Sequence, residues 1–146
     1  MIIRRYEPKT DYSEVKALVE KTMPRNLPER LGGVGVVIKE DSKIVAFCWA
    51  LTSKDSDISC VEFFAVDPEY RNKKKYGPMV ILNLLMELRK EGVMEIVGLL
   101  VEGETYTNSL CRIYNEVGMV MNKGYVVNGF IDKILDGIRK RYMGGI

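Results

Sequence analysis

The turn Arg71-Asn72-Lys73-Lys74-Lys75-Tyr76-Gly77 sets positive charge and backbone amides in front of a helical run. That arrangement suits a phosphate-bearing ligand. The first N–H groups of a helix lack intrahelical partners, and the macrodipole is positive at that end. Lysine ammonium groups add to the attraction as point charges; the plainer reading is a lysine turn that meets only water. A second candidate is Glu62, the lone carboxylate of the apolar run Ile58 to Val66. Strand alternation would put Glu62, Phe64 and Val66 on one face. Desolvation among aromatics favours the neutral form of a carboxyl group, which suits a base taking an ammonium proton directly or through water. The alternative is a charge at a splayed sheet edge. Glu102 and Glu104 are weaker bases and read as solvated loop charges. With no histidine in the chain, proton transfer falls to Glu, Asp, Tyr, Cys, Lys or water. The usual metal sites are excluded by the same absence, and no metal is expected. Cys48, Cys60 and Cys111 lie far apart without metal spacing. A nucleophilic thiol needs a base or a positive field beside it, so Cys111 reads as a packed thiol.

The elements that must position these residues follow from periodicity. Met1 to Tyr6 reads as a first strand, and Thr10 or Asp11 can cap a helix carrying Val15, Leu18 and Val19 that ends near Thr22, before Pro24. Met23 to Gly33 is an irregular connection with a helical turn at Leu27 to Leu31. Val34 to Lys39 and Ile44 to Thr52 form a hairpin through Glu40-Asp41-Ser42-Lys43, and Ile58 to Val66 pairs antiparallel after the turn Lys54 to Asp57. Asp67-Pro68 ends that strand. Ile81, Leu84, Leu85 and Leu88 then fall at i, i+3, i+4 and i+7, a helix from about Met79 with Pro78 in its first turn and Gly92 as its stop. Glu95 to Val101 is a strand, Thr107 to Val117 a helix closed by Gly118, and Met119 to Asn122 and Tyr125 to Phe130 complete the sheet. Ile131 to Tyr142 is a further amphipathic helix ending in Arg139-Lys140-Arg141. The order gives an α/β (α+β) fold: a mixed, mostly antiparallel central sheet of six to seven strands flanked by helices.

Whole-chain properties bound the rest. At 146 residues the chain is read as one domain over 1–130, extended by the helix and tail 131–146. Net charge is +2, too weak a field to argue for nucleic acid. No apolar run reaches the roughly 20 residues that span a bilayer, and Met1 to Pro8 does not read as a signal peptide. Three apolar-flanked cysteines fit reduced core residues in a cytoplasm.

Two segments together resemble the GNAT superfamily of N-acetyltransferases, which move an acetyl group from acetyl-coenzyme A to an amine. The first is Ala65-Val66-Asp67-Pro68-Glu69-Tyr70-Arg71, similar to the family's V-x-P-x-Y-R. The second is Asn108-Ser109-Leu110-Cys111-Arg112-Ile113-Tyr114-Asn115-Glu116-Val117-Gly118-Met119, similar to N-x-x-A-x-x-L-Y-E-K-x-G-F. The resemblance covers roughly Met1 to Phe130. It implies a GNAT-like acyl-CoA N-acyltransferase fold, acetyl-coenzyme A as co-substrate, and an amine acceptor. It also implies that the backbone of Phe64, Ala65 and Val66 holds the pantetheine and polarises the carbonyl. Arg71, Lys73, Lys74, Lys75, Tyr76 and Gly77 would form the diphosphate turn, and Asn108 a further cofactor contact. Tyr114 would protonate the leaving sulfur, and a strand glutamate such as Glu62 would serve as base. The acceptor would enter between Met23–Gly33 and Tyr125–Phe130. The family's R-x-x-G-x-G turn is altered here, since Lys74 and Tyr76 stand in place of small residues. A Cβ at a left-handed position costs about 1–2 kcal/mol, so the turn is expected to follow another path, with lysine charge replacing amide contacts.

Two functions stay open on this reading: an N-acetyltransferase acting on a small-molecule, peptide or protein amine, and a GNAT-like fold that has lost catalysis and serves as a binding module. The last helix adds the choice between docking, as in a homodimer, and packing on its own domain.

Overall fold

The computed structural model describes residues 1–23, 25–53, 55–71, 73–99, 115–122 and 126–144. Seven strands form one sheet in the order β1-β2-β3-β4-β5-β7-β6. They are β1 Ile2–Arg5, β2 Val34–Glu40, β3 Lys43–Leu51, β4 Ile58–Val66, β5 Glu95–Leu99, β6 Val120–Asn122 and β7 Val126–Phe130. All neighbours run antiparallel except β4 and β5. A parallel pair needs a crossover, and helix α2, Tyr76–Lys90, supplies it. The other helices are α1, Pro8–Thr22, and α3, Ile131–Tyr142. Of the helix expected at Thr107 to Val117, only Asn115 and Glu116 are described, and both are helical.

β2 and β3 are apolar at nearly every position because both faces are covered. Val36, Ile38, Cys48 and Ala50 pack with Val80, Leu84, Leu85 and Leu88 of α2. Val37, Phe47 and Trp49 turn the other way, onto Val15, Leu18 and Val19 of α1. The hairpin falls where expected, with both Asp41 (φ 48°) and Ser42 (φ 68°) left-handed, as a twist-compatible two-residue loop requires.

Helix boundaries differ from the sequence expectation in two places. α1 begins at Pro8 rather than after Thr10, because proline at the first helical position gives up no bonded N–H. Asp11 then accepts from the Glu7 N–H at 2.8 Å and from both ends of the Arg4 guanidinium at 2.7 Å. The helical turn expected at Leu27 to Leu31 is absent; those residues are irregular. Pro28 disfavours helical geometry at Leu27, whose side chain is buried instead. α2 stops as expected: Gly92 takes φ +85°, and the N–H groups of Gly92 and Val93 donate to the carbonyls of Arg89 and Leu88 at 3.1 and 3.0 Å. This is a Schellman closure.

Of the two readings of α3, the structure has the one in which the helix packs on its own domain. Ile131, Ile134, Leu135 and Ile138 are buried in the same core as α2, so the apolar stripe that a homodimer through this helix would use is already covered. Gly137 makes the approach possible. A Cβ there would sit 2.5 Å from the Val117 carbonyl oxygen and 2.6 Å from its Cα. Gly-to-Ala inside an exposed helix ordinarily gains up to about 1 kcal/mol, but Gly137→Ala is predicted to destabilise by about 1–3 kcal/mol through backbone overlap. Thermal unfolding of the variant measures this, and a raised melting temperature would contradict the packing described.

Candidate active site

The site begins at the end of β4 that follows its described pairing with β5. Among the described residues β4 pairs with β5 from Ile58 to Val61, while its pairing with β3 continues to Val66. Asp67 N–H donates to the Val45 carbonyl at 2.8 Å, which sets the phase of the antiparallel ladder. Backbone groups alternate sides along a strand, so those of Phe63 and Ala65 point at β3. Those of Phe64 and Val66 point the other way, into a gap that no described strand fills. The Arg71 Nε reaches in from the following turn and donates to the Val66 carbonyl at 3.0 Å. Ala65, expected among the donor-binding residues, is turned away: it pairs with Phe47, and its side chain lies in the α1-side core.

α2 begins beside the gap. Gly77 lies so near β4 that a Cβ on it would sit 3.4 Å from the Phe64 ring and 3.9 Å from a Val66 methyl. The N-cap, Lys75, makes no side-chain capping bond. The Tyr76 and Gly77 amides therefore stand at the positive end of a 15-residue helix without intrahelical acceptors. Pro78 has no N–H to contribute.

In the altered turn Glu40 draws two side chains to itself. The Tyr76 hydroxyl donates to Glu40 Oε2 at 2.7 Å, and Lys74 Nζ lies 3.3 Å from Oε1. Tyr76 is a buried core residue, edge-on to Tyr70, and opens the helix instead of lying in the loop. Burial first, then the bond to Glu40, pushes its phenol above the ordinary value. The Tyr76 and Lys74 side chains are thus both engaged by Glu40, and Lys75 donates to the Tyr142 carbonyl at the end of α3. Lys73 is the lysine of this turn with no carboxylate or carbonyl partner among the described residues; its Nζ lies 5.8 Å from the Tyr70 ring centre.

Asp67 fixes the turn to the rest of the fold. Its buried carboxylate accepts from Lys43 at 2.9 Å, from Lys21 at 3.1 Å and from the Glu69 N–H at 3.0 Å. Burial alone would raise its proton affinity, but these donors outweigh burial and hold the group at about 2.

Glu62 occupies a bulge. Trp49 pairs with Phe63 and Ala50 with Val61, so Glu62 is the extra residue of β4. The alternation expected to align Glu62 with Phe64 and Val66 breaks here, since Val61 packs on the same side as Phe64 and Val66. The desolvated setting is not found either. The Glu62 side chain is 32% exposed and faces Arg25, with Nη2 3.7 Å from Oε2. Arg25 also donates to the Glu62 carbonyl at 2.7 Å, and its guanidinium lies over the Phe63 ring at 4.6 Å. Cys48 is a buried thiol pushed up by desolvation, so it is inert. Tyr114, Asn108, Cys111, Glu102 and Glu104 lie outside the described residues. An open depression of about 770 Å³ at the other end of β4 is edged by Asp55, Asp57 and Glu91. Its acidic rim and position at the C-terminal end of α2 oppose an anionic ligand.

Among the described residues there is no cluster of three metal-ligating side chains, and no helix is long and apolar enough to cross a membrane. The acetyltransferase (GNAT) family matches residues 4–119. The chain belongs to that family. No curated protein matches it. Solved structures agree in fold at low identity. Ard1 from Thermoplasma volcanium superposes with TM-score 0.70 at 16% identity, over 88% of this chain and 96% of that one. An acetyltransferase of the GNAT family from Staphylococcus aureus gives 0.70 at 15%, over 89% and 98%. The PaiA N-acetyltransferase from Thermoplasma acidophilum, solved in complex with coenzyme A, gives 0.69 at 13%, over 89% and 99%.

The Asp67 clamp predicts a pH dependence. Its folded value of about 2 lies below the ordinary 3.8, so its contribution is complete above about pH 4 and is lost as pH falls through about 2. Urea unfolding should show Asp67→Asn less stable than the parent by about 2 kcal/mol at neutral pH, narrowing below pH 4. A difference that stays constant with pH would contradict the clamp.

Proposed function

We propose that this protein is an acetyl-coenzyme A-dependent N-acetyltransferase that passes acetyl directly to a primary amine. The observation that carries the reading is the coincidence of two features: the Phe64 and Val66 amides, which point away from β3 and meet no other described strand, and the uncapped start of α2 beside them. An extended pantetheine can bond along β4 as a missing strand would. The diphosphate then meets the Tyr76 and Gly77 amides, with Lys73 and Arg71 within the same turn. A β4 amide aimed at the thioester oxygen stabilises the developing oxyanion by about 3 kcal/mol.

In this reaction Glu62 takes the proton of the acceptor ammonium, and the neutral nitrogen attacks the thioester carbonyl. A C–N bond forms, the C–S bond breaks, and Tyr114, by its place in the second family motif, protonates the leaving thiolate, while the nitrogen's second proton passes through water and restores the phenol. Asn108, by the same motif, contacts the cofactor. Phe63 and Arg25 mark the face of β4 opposite to α2, so acceptor and donor approach the gap from opposite faces. Among the described residues Cys48 and Cys60 are free thiols, which agrees with work in a cytoplasm.

The second reading, a binding module without catalysis, is favoured by Glu40 holding Lys74 and Tyr76 and by the bond from Lys75 to Tyr142. Calorimetry with acetyl-coenzyme A separates the two. The enzyme reading predicts micromolar-range binding, with a matching rise in melting temperature. No heat and no thermal stabilisation would leave the module. Given binding, thiol release with an amine panel should fall roughly 100-fold in Tyr114→Phe and in Glu62→Gln. Unchanged rates in both variants would remove these assignments.

A further inference from the structure

Arginine–carboxylate pairs in this protein close tightly. Arg4–Asp11, Arg5–Glu87, Arg5–Glu91 and Arg89–Asp132 all lie between 2.6 and 2.9 Å. Arg25–Glu62 does not: its nearest nitrogen and oxygen stand 3.7 Å apart, beyond hydrogen-bond length. The guanidinium is held elsewhere, by the Phe63 ring beneath it and by the Glu62 carbonyl on Nη1. Among the described residues its Nε and Nη2 groups have no acceptor at bonding distance, and the Glu62 carboxylate has no donor. Both side chains reach solvent, 43% and 32% exposed. One cation and one anion are thus held side by side, each with bonding capacity unused, two residues or roughly 7 Å along β4 from Phe64.

A single lysine-like amine or a polyamine would satisfy Glu62 but be repelled by Arg25. A ligand with an ammonium and a carboxylate on one carbon matches both groups at once. Its carboxylate would meet the free edge of a guanidinium already oriented by stacking, the arrangement in which arginine binds carboxylates through two bonds. From this juxtaposition we infer that the acceptor is a free α-amino acid, with Arg25 binding its carboxylate and Glu62 its ammonium. The inference rests on the acetyl-transfer reading for the chemistry that follows. Glu62 takes the ammonium proton, the neutral nitrogen bonds to the acetyl carbon as the C–S bond breaks, the nitrogen gives up its second proton to water, and the leaving thiolate takes one from Tyr114. Arg25 is then a specificity determinant that undergoes no bond change.

The test is calorimetric and does not depend on turnover. Each proteinogenic L-α-amino acid and its α-carboxamide is titrated into the full chain saturated with coenzyme A, or into the chain alone if coenzyme A gives no heat. At least one acid should bind roughly 10-fold or more tightly than its carboxamide, a margin in line with charge-assisted bidentate pairing. In Arg25→Gln that ratio should fall to about one, with carboxamide affinity unchanged. In Arg25→Lys, which keeps the charge and loses the fork, it should fall in between. Glu62→Gln should weaken acid and carboxamide alike. Equal affinities in the parent, a preference that survives Arg25→Gln, or no binding by any acid would each overturn the inference. An Arg25-dependent preference in a chain that transfers no acetyl would keep the recognition site and end the enzyme reading. Acetyl transfer without acid preference would do the reverse.

Discussion

A strand in the middle of a sheet must pair on both sides or leave backbone groups unsatisfied, and β4 does both along its length. Up to Val61 it is a central strand between β3 and β5. Past the Glu62 bulge β3 is its one partner strand among the described residues, and the amides of Phe64 and Val66 point away from β3, while the Val66 carbonyl accepts from Arg71. Unpaired backbone groups are costly when shielded from water and useful when a ligand completes them. The rest of the architecture serves this one exposed edge. α2 is the crossover required by the parallel β4–β5 pair, and its start comes to rest beside Phe64 and Val66.

The turn between β4 and α2 shows how a fold accommodates bulky residues beside a strand edge. Where small residues were expected, this chain has a lysine and a tyrosine. The tyrosine begins the helix and is buried, with its hydroxyl on Glu40, and the lysine follows to the same carboxylate. The turn keeps its place because Asp67 ties it to α1 through Lys21 and to the β2–β3 hairpin through Lys43. Positive charge at the site is therefore smaller than the string of lysines implies. Two of the three are held by protein oxygens, leaving Lys73 and the helix amides to meet an anion.

Much of the fold was legible in the order of residues because period and punctuation agree. The double-sided apolar runs of β2 and β3, the 3.6-residue stripe of α2 and the left-handed stop at Gly92 each mark one element without help from the others. The site was less legible, and the reason is distance in sequence. Glu62 was visible as an isolated carboxylate, but the bulge that reorients it depends on register against Trp49 and Ala50. Arg25, 37 residues away, lies in the irregular connection, where no spacing ties it to Glu62. Glu40 carried no signal at all, since its role exists only once Tyr76, 36 residues later, has folded back on it. Likewise, Phe64 and Val66 could be separated from Ala65 only after the ladder's phase was known.

The central claim is that alternate backbone groups of β4 await a ligand, and residue-resolved amide hydrogen exchange tests it directly. With and without coenzyme A, exchange at Phe64 or Val66 should be fast in the free protein and slow when ligand is bound, while Phe63 and Ala65 stay protected throughout. Equal protection of all four without ligand, or no slowing at Phe64 and Val66 with it, would contradict the account.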